Sequence, residues 1–117
     1  MKNRWPRLAA AAALLLATPA LAQGFDAAQV KQGDHVIRDF AFRSGEKLPE
    51  LRMHYRTIGT PHRDAKGRID NAVMILHGTG GSGAQFLQPQ FADELYGPGQ
   101  PLDVRRYFII LPDNIGH

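Results

Sequence analysis

Polar and apolar residues alternate along "LRMHYRTIG" (51–59), with Leu51, Met53 and Tyr55 on one parity and Arg52, His54 and Arg56 on the other. Alternation of period two predicts a half-buried strand with the arginines and His54 on its polar face. The stretch before it, "HVIRDFAF" (35–42), puts Val36, Phe40 and Phe42 on one parity and predicts another strand. "RSGEKLPE" between them carries Gly and Pro punctuation, so the pair reads as an antiparallel hairpin. A different pattern follows the loop at 60–71. "AVMIL" (72–76) is continuously apolar, and "RRYFIILPD" (105–113) is apolar through its centre. Short unbroken runs of this kind suit strands buried on both faces inside a parallel sheet. Between them Phe86/Leu87, Phe91 and Leu95 recur at helical spacing. Pro89 cannot lie inside a helix begun at Gly83, so a short helix is expected from about Pro89, where proline is tolerated as first residue. Hairpin, buried strand, helical segment and buried strand together predict an α/β fold with a parallel core.

The start of the chain does not join this pattern. Lys2, Arg4 and Arg7 precede a run of almost pure Ala and Leu from Leu8 to Ala17, and Ala20-Leu21-Ala22 follows as a small-x-small site. Residues 1–22 are expected to be a secretory signal peptide cleaved before Gln23, leaving 23–117 as one domain or part of one. The apolar run is shorter than the roughly 18–20 residues of a membrane span. Without a lipoprotein cysteine, no stable membrane anchor is expected after cleavage, and the destination is periplasmic or secreted. Three of the 14 basic residues and none of the 11 acidic ones lie in this leader, so the remainder is charge-balanced. The basic isoelectric point therefore gives no reason to expect a nucleic-acid partner. Absence of cysteine excludes disulfides and thiolate metal sites.

The chemistry centres on "ILHGTGGSG" (75–83). Gly78, Gly80 and Gly83 fit G-x-G-x-x-G after a strand. A dinucleotide fold would need an uninterrupted helix at the third glycine and an acid about 20 residues on, at the end of the next strand. Pro89 interrupts the helix, Asp103 precedes the next strand and Asp113 comes too late. Nor is a nicotinamide pool available to an exported protein. No Gly-Lys-Ser/Thr follows, so a Walker-type phosphate loop is excluded as well. An acyl-transfer turn asks instead for a sharp bend after a central strand with a backbone N–H aimed at a developing oxyanion. Gly78 would make the bend, Thr79 N–H would donate, and Gly80 and Gly81 would leave room for the acyl group. A plain Gly-rich connection is the alternative. His35, His54 and His62 show no metal-ligand spacing, H-E-x-x-H is absent, and neither metal nor cofactor is expected.

"FIILPDNIGH" resembles the Asp-x-x-Gly-x-Gly turn after the next strand of α/β-hydrolases. Together with "YRTIGTP" and "LYGPGQPLDVRRYF", the stretch from about Leu51 to His117 resembles the homoserine O-acetyltransferase-like branch of that superfamily. The resemblance implies the N-terminal portion of an α/β-hydrolase fold, an antiparallel hairpin leading into a mostly parallel sheet. It implies Thr79 N–H as one oxyanion donor in a site shaped by Gly78, Gly80 and Gly81. It also implies Asp113 and Gly116 as structural residues of the second turn, and His77 as a residue that orients the first. The nucleophile, acid and base follow one another along the chain in this superfamily, which places all three beyond His117 and leaves no catalytic triad residue here. No G-x-S-x-G elbow is present; Ser44 lies in the hairpin turn and Ser82 in the Gly-rich turn. A strand carrying the nucleophile would lie against "AVMIL", whose edge is otherwise open and hydrophobic. The chain is thus expected to be an inactive N-terminal fragment of an exported serine hydrolase acting through an acyl-enzyme on a small-molecule ester-type substrate. An acetyl-CoA-dependent homoserine acyltransferase and a non-catalytic secreted binding module are the alternatives.

Overall fold

The computed structural model describes residues 25–116. The signal-peptide reading of residues 1–22 and the terminal His117 lie outside the described residues. Four strands, β1 (Lys31–Ala41), β2 (Lys47–Ile58), β3 (Ala72–Met74) and β4 (Phe108–Pro112), form one mixed sheet in the order β1-β2-β4-β3. β1 pairs antiparallel with β2 from Lys31↔Thr57 to Ala41↔Lys47. This hairpin is longer at its tip than the alternation predicted. Glu46 O accepts from Phe42 N–H at 2.8 Å, so the ladder runs up to a tight turn. β2 then pairs antiparallel with β4, and β3 pairs parallel with β4. Helix α1 (Pro89–Leu95) starts with Pro89 in its first turn, as its missing N–H allows. A 3₁₀ turn at Gly83–Leu87 precedes it and carries Phe86, whose ring packs edge-on against Phe91 at 5.3 Å.

The core lies on one face of the sheet. Ile58, Ile109 and Leu111 are fully buried beneath Ala92 and Tyr96, with Val73, Ile75, Phe86, Leu87 and Leu95 packed around them. Residues directly opposite in a ladder share a face, so the pairings Ile58↔Ile109, Arg56↔Leu111 and Val73↔Ile109 place all five on this covered side. The expectation for Arg56 is corrected here: the polar face of β2 turns toward the core at its C-terminal end, because α1 and the 3₁₀ turn cover that side.

The expectation that 72–76 is buried on both faces is also corrected. β3 is a three-residue edge strand, and Met74 and Leu76 stay 59% and 63% exposed. Packing covers one face, and β4 is its one partner among the described residues. β4 is shorter than predicted because Arg106 and Tyr107 N–H both donate to Asp103 O, making a turn where the strand would have begun. Asp103 is buried, and the Arg105 side chain, the Gly99 N–H and the Arg105 N–H hold its carboxyl far below the usual carboxylate range. Burial alone pushes the Tyr96 phenol up to about 12.

The two faces of the sheet differ in what they contribute. Ile109→Ala is expected to lower unfolding free energy by about 2–5 kcal/mol, whereas Met74→Lys shifts it by no more than about 0.5 kcal/mol. Urea titration of the two variants compares them, and equal losses would mean the uncovered face is buried in solution.

Candidate functional site: two turns at one end of the sheet

Because β3 and β4 are parallel, the turns that follow them leave the same end of the sheet. After β3 the chain passes through Ile75, whose N–H donates to Ile110 O at 3.0 Å, and reaches the buried His77. Residues 78–81 then reverse direction, with Gly81 N–H donating to Gly78 O at 3.2 Å. Gly80 has φ +79° while Thr79 keeps a negative φ, the signature of a type II turn with Thr79 at its first central position. Thr79 is exposed, and no acceptor among the described residues meets its N–H. Ser82 caps the following 3₁₀ turn, its Oγ accepting from Ala84 N–H at 3.3 Å. Gly83 packs so close to β4 that a Cβ there would stand 2.6 Å from Leu111 O.

The second turn grips the first at two points. Asn114 N–H donates to His77 Nε2 at 2.9 Å, so that nitrogen is the acceptor and Nδ1 carries the proton, which it gives to Gly78 O at 2.8 Å. Asn114 Nδ2 also approaches His77 O at 3.4 Å. Next to it, Asp113 Oδ1 accepts from Gly83 N–H at 2.8 Å and from Arg56 Nη1 at 3.0 Å. Burial pushes the Asp113 carboxyl upward, but the Gly83 N–H and the Arg56 charge outweigh it, with a smaller contribution from His54, and hold it below its ordinary value. Asp113 N–H in turn donates to His54 O at 2.8 Å. Gly116 has φ +94° at the far side of this turn.

An open cleft of about 370 Å³ lies beside the glycine turn, lined by Gly80, Gly81, Ser82, Ala84, Gln85 and Gln88. A larger cavity of about 630 Å³ opens among Phe25, Gln29, Gly59, Tyr96, Asp103 and Arg105. Gly59 follows the C-terminus of β2, antiparallel to β4, so this cavity sits at the opposite end of the sheet from the turns. The smaller cleft is therefore the one next to Thr79. Among the described residues no group of His, Asp and Glu could hold a metal ion, and no helix is long and apolar enough to cross a membrane.

Sequence comparison finds relatives over most of this region. The chain is 34% identical over 98 residues to a homoserine O-succinyltransferase of Aromatoleum aromaticum, covering 76% of this chain and 24% of that protein. It is 34% identical over 89 residues to a homoserine O-acetyltransferase of Leifsonia xyli subsp. xyli, covering 68% and 21%. Among solved structures it superposes on a homoserine O-acetyltransferase from Bacillus anthracis with TM-score 0.57 and 26% identity, over 73% of this chain and 23% of that one. The chain belongs to the α/β-hydrolase superfamily, on its homoserine O-acetyltransferase-like branch. Esterase E22 shares the fold at TM-score 0.57 and 24% identity. No protein-family model matches the chain. The chain spans about a quarter of the length of the relatives it matches.

Within this superfamily portion, the structure brings His77, Gly78, Thr79, Gly80 and Gly81 to one end of the sheet together with Asp113 and Gly116. The ring hydrogen bonds of the scattered histidines lie elsewhere, although the backbone O of His54 accepts from Asp113 N–H. His54 Nδ1 meets Asp34 Oδ1 at 2.8 Å on the hairpin, His62 Nδ1 meets Asp70 Oδ1 at 2.7 Å in the 60–71 loop, and His35 is exposed on β1. Arg56 and the linking role of Asn114 were not singled out from the sequence. Arg56 lies 57 positions from Asp113, and its place in a polar alternation pointed to solvent.

Two changes probe these contacts. Gly83→Ala forces a methyl against a backbone carbonyl and is expected to lower stability by about 1–3 kcal/mol in denaturant titration. A native carboxyl held below its unfolded value makes the folded chain bind fewer protons. The contribution of Asp113 is therefore full above about pH 4 and lost as pH falls through its lower native value. Asp113→Asn is expected to flatten this part of the acid limb when the urea midpoint is followed against pH; an unchanged acid limb would remove Asp113 from that account.

Proposed function

We propose that residues 77–81 form the oxyanion-binding half of an acyl-transfer site in an exported serine hydrolase. The serine nucleophile, its base and its acid are supplied by sequence outside these 117 residues, and the chain by itself is inactive. The observation that carries the reading is the Thr79 N–H, exposed without an acceptor among the described residues at the end of β3, in a turn whose geometry is fixed before any substrate arrives. In the proposed reaction a serine oxygen attacks an ester carbonyl and its electron pair moves onto the carbonyl oxygen. Thr79 N–H donates to that oxygen. Collapse expels the alcohol and leaves an acyl-enzyme, which water cleaves by the same path in reverse. Gly80 and Gly81 keep the neighbouring cleft open for the acyl group. Neither cofactor nor metal takes part.

Release to water follows from the leader at residues 1–22, read as an export signal to the periplasm or beyond, where acyl-CoA and homoserine are not supplied. A second reading, transfer of an acyl group from a thioester to homoserine, is favoured by a different observation: the relatives of at least 30% identity include homoserine O-succinyltransferase and homoserine O-acetyltransferase. Both readings use the same oxyanion donor and differ in the acceptor.

Thr79→Pro tests the donor with little disturbance, because proline is favoured at the first central position of a type II turn and has no N–H. In the full-length gene product, turnover of p-nitrophenyl acetate is expected to fall about 100- to 1000-fold with KM little changed. Unchanged turnover would sink the oxyanion assignment. Acyl-homoserine formed only when acetyl- or succinyl-CoA is added would decide for the transferase.

A further inference from the structure

The glycine turn is tethered at both ends to two adjacent residues. His77, before it, accepts from Asn114 N–H; Gly83, after it, donates to Asp113 Oδ1. Whatever fixes Asp113 therefore fixes both ends of the segment that carries Thr79. Two contacts reach Asp113 from β2, outside the two turns: His54 O accepts its backbone N–H, and its carboxyl is met by Arg56, whose pairing with Leu111 sets it on the covered face, with its side chain 16% exposed. We propose that Arg56 is a positioning residue for this site: through Asp113 its guanidinium holds the Gly83 N–H, and with it the loop that aims Thr79 N–H. This rests on the acyl-transfer reading of the turn.

The physical reason lies in how the Asp113 oxygen is shared. Gly83 N–H at 2.8 Å and Arg56 Nη1 at 3.0 Å converge on the same Oδ1. An ionised oxygen accepts two donors well; a protonated carboxyl gives up part of that capacity to its own hydrogen. Burial favours the protonated form, and Arg56 is the full positive charge that opposes it. His54, also on β2, adds a smaller effect, the Gly83–Leu87 turn offers backbone N–H, and His77 is engaged with the neighbouring Asn114. Without Arg56 the carboxyl protonates at higher pH and its hold on Gly83 weakens. Gly83 already lies so close to β4 that not even a Cβ fits before Leu111 O, so slack is taken up in Ser82 and the 78–81 turn. The contact uses one guanidinium nitrogen, so lysine can replace it in charge, whereas methionine replaces only the stem.

The test follows the backbone amide shifts of Thr79, Gly83 and Asn114 in the ¹⁵N-labelled full-length gene product as it is acidified. In the unaltered chain Gly83 and Thr79 are expected to inflect together, below the usual carboxylate range. In Arg56→Met the shared inflection moves up by about one pH unit or more; in Arg56→Lys it stays within a few tenths of a unit of the original. Asp113→Asn abolishes it. A midpoint unmoved in Arg56→Met, a Thr79 amide that does not follow Gly83, or an Arg56→Lys chain that behaves like Arg56→Met would each overturn the proposal. If Arg56→Met loses its dispersed spectrum while Arg56→Lys keeps it, the requirement for charge stands; a collapse of both overturns it. The outcome is independent of the acyl-transfer reading. Retained turnover in Thr79→Pro defeats that reading and leaves the titration intact, while an unresponsive Thr79 amide defeats the role of Arg56 and leaves the turnover result intact.

Discussion

The carboxylate of Asp113 is where separate pieces of this chain are held to one another. It stands at the end of β4, takes a hydrogen bond from the turn that follows β3, and takes a second from Arg56 on β2. Its neighbour Asn114 supplies the backbone donor that holds His77. An oxygen atom under a covered sheet face is desolvated, and desolvation is tolerable for a charged group only where donors replace the lost water. Here the replacements are a backbone N–H and a guanidinium from two other segments. One desolvated anion thereby fixes the relative positions of β2, β4 and the glycine turn.

That arrangement explains why the candidate site is ordered at an edge of the sheet. β3 has three residues in its ladder and one strand neighbour among the described residues, so backbone pairing alone holds the glycine turn weakly. Side-chain tethers from the second turn supply what the short ladder lacks. The Gly83 contact with Leu111 O adds a steric stop, since no larger residue fits between the 3₁₀ turn and β4. The role proposed for Thr79 N–H needs a donor whose direction is set beforehand, and tethers at both ends of a short loop set it.

The relation to the homoserine O-acetyltransferase-like branch agrees with this division of labour. The matched region reaches about a quarter of the relatives' length, and the geometry it contains fits the proposed oxyanion turn and its support. Apolar surface on the uncovered face, with Met74 and Leu76 well exposed, accompanies an edge of β3 that has no strand partner among the described residues. Both are features of a sheet with capacity for more strands and a second covering layer.

Much of this was legible one residue at a time. Period-two alternation located the hairpin, apolar runs located β3 and β4, Pro89 marked the start of α1, and the glycines marked the turn, because each signal is written in neighbouring residues. The resemblance to α/β-hydrolases paired the two turns. What the sequence could not reveal were relations between distant residues. Arg56 sits in an alternation that reads as solvent-facing, and only the register of β2 against β4 shows that it lies opposite Leu111 under the 3₁₀ turn. The exposure of β3 likewise depends on which strands lie beside it and which face α1 covers. Local chemistry was thus determined by the sequence itself, from the strand signals to the glycine turn. The partner of each polar group was decided by tertiary structure, because burial and pairing are properties of what packs against a residue and not of the residue alone.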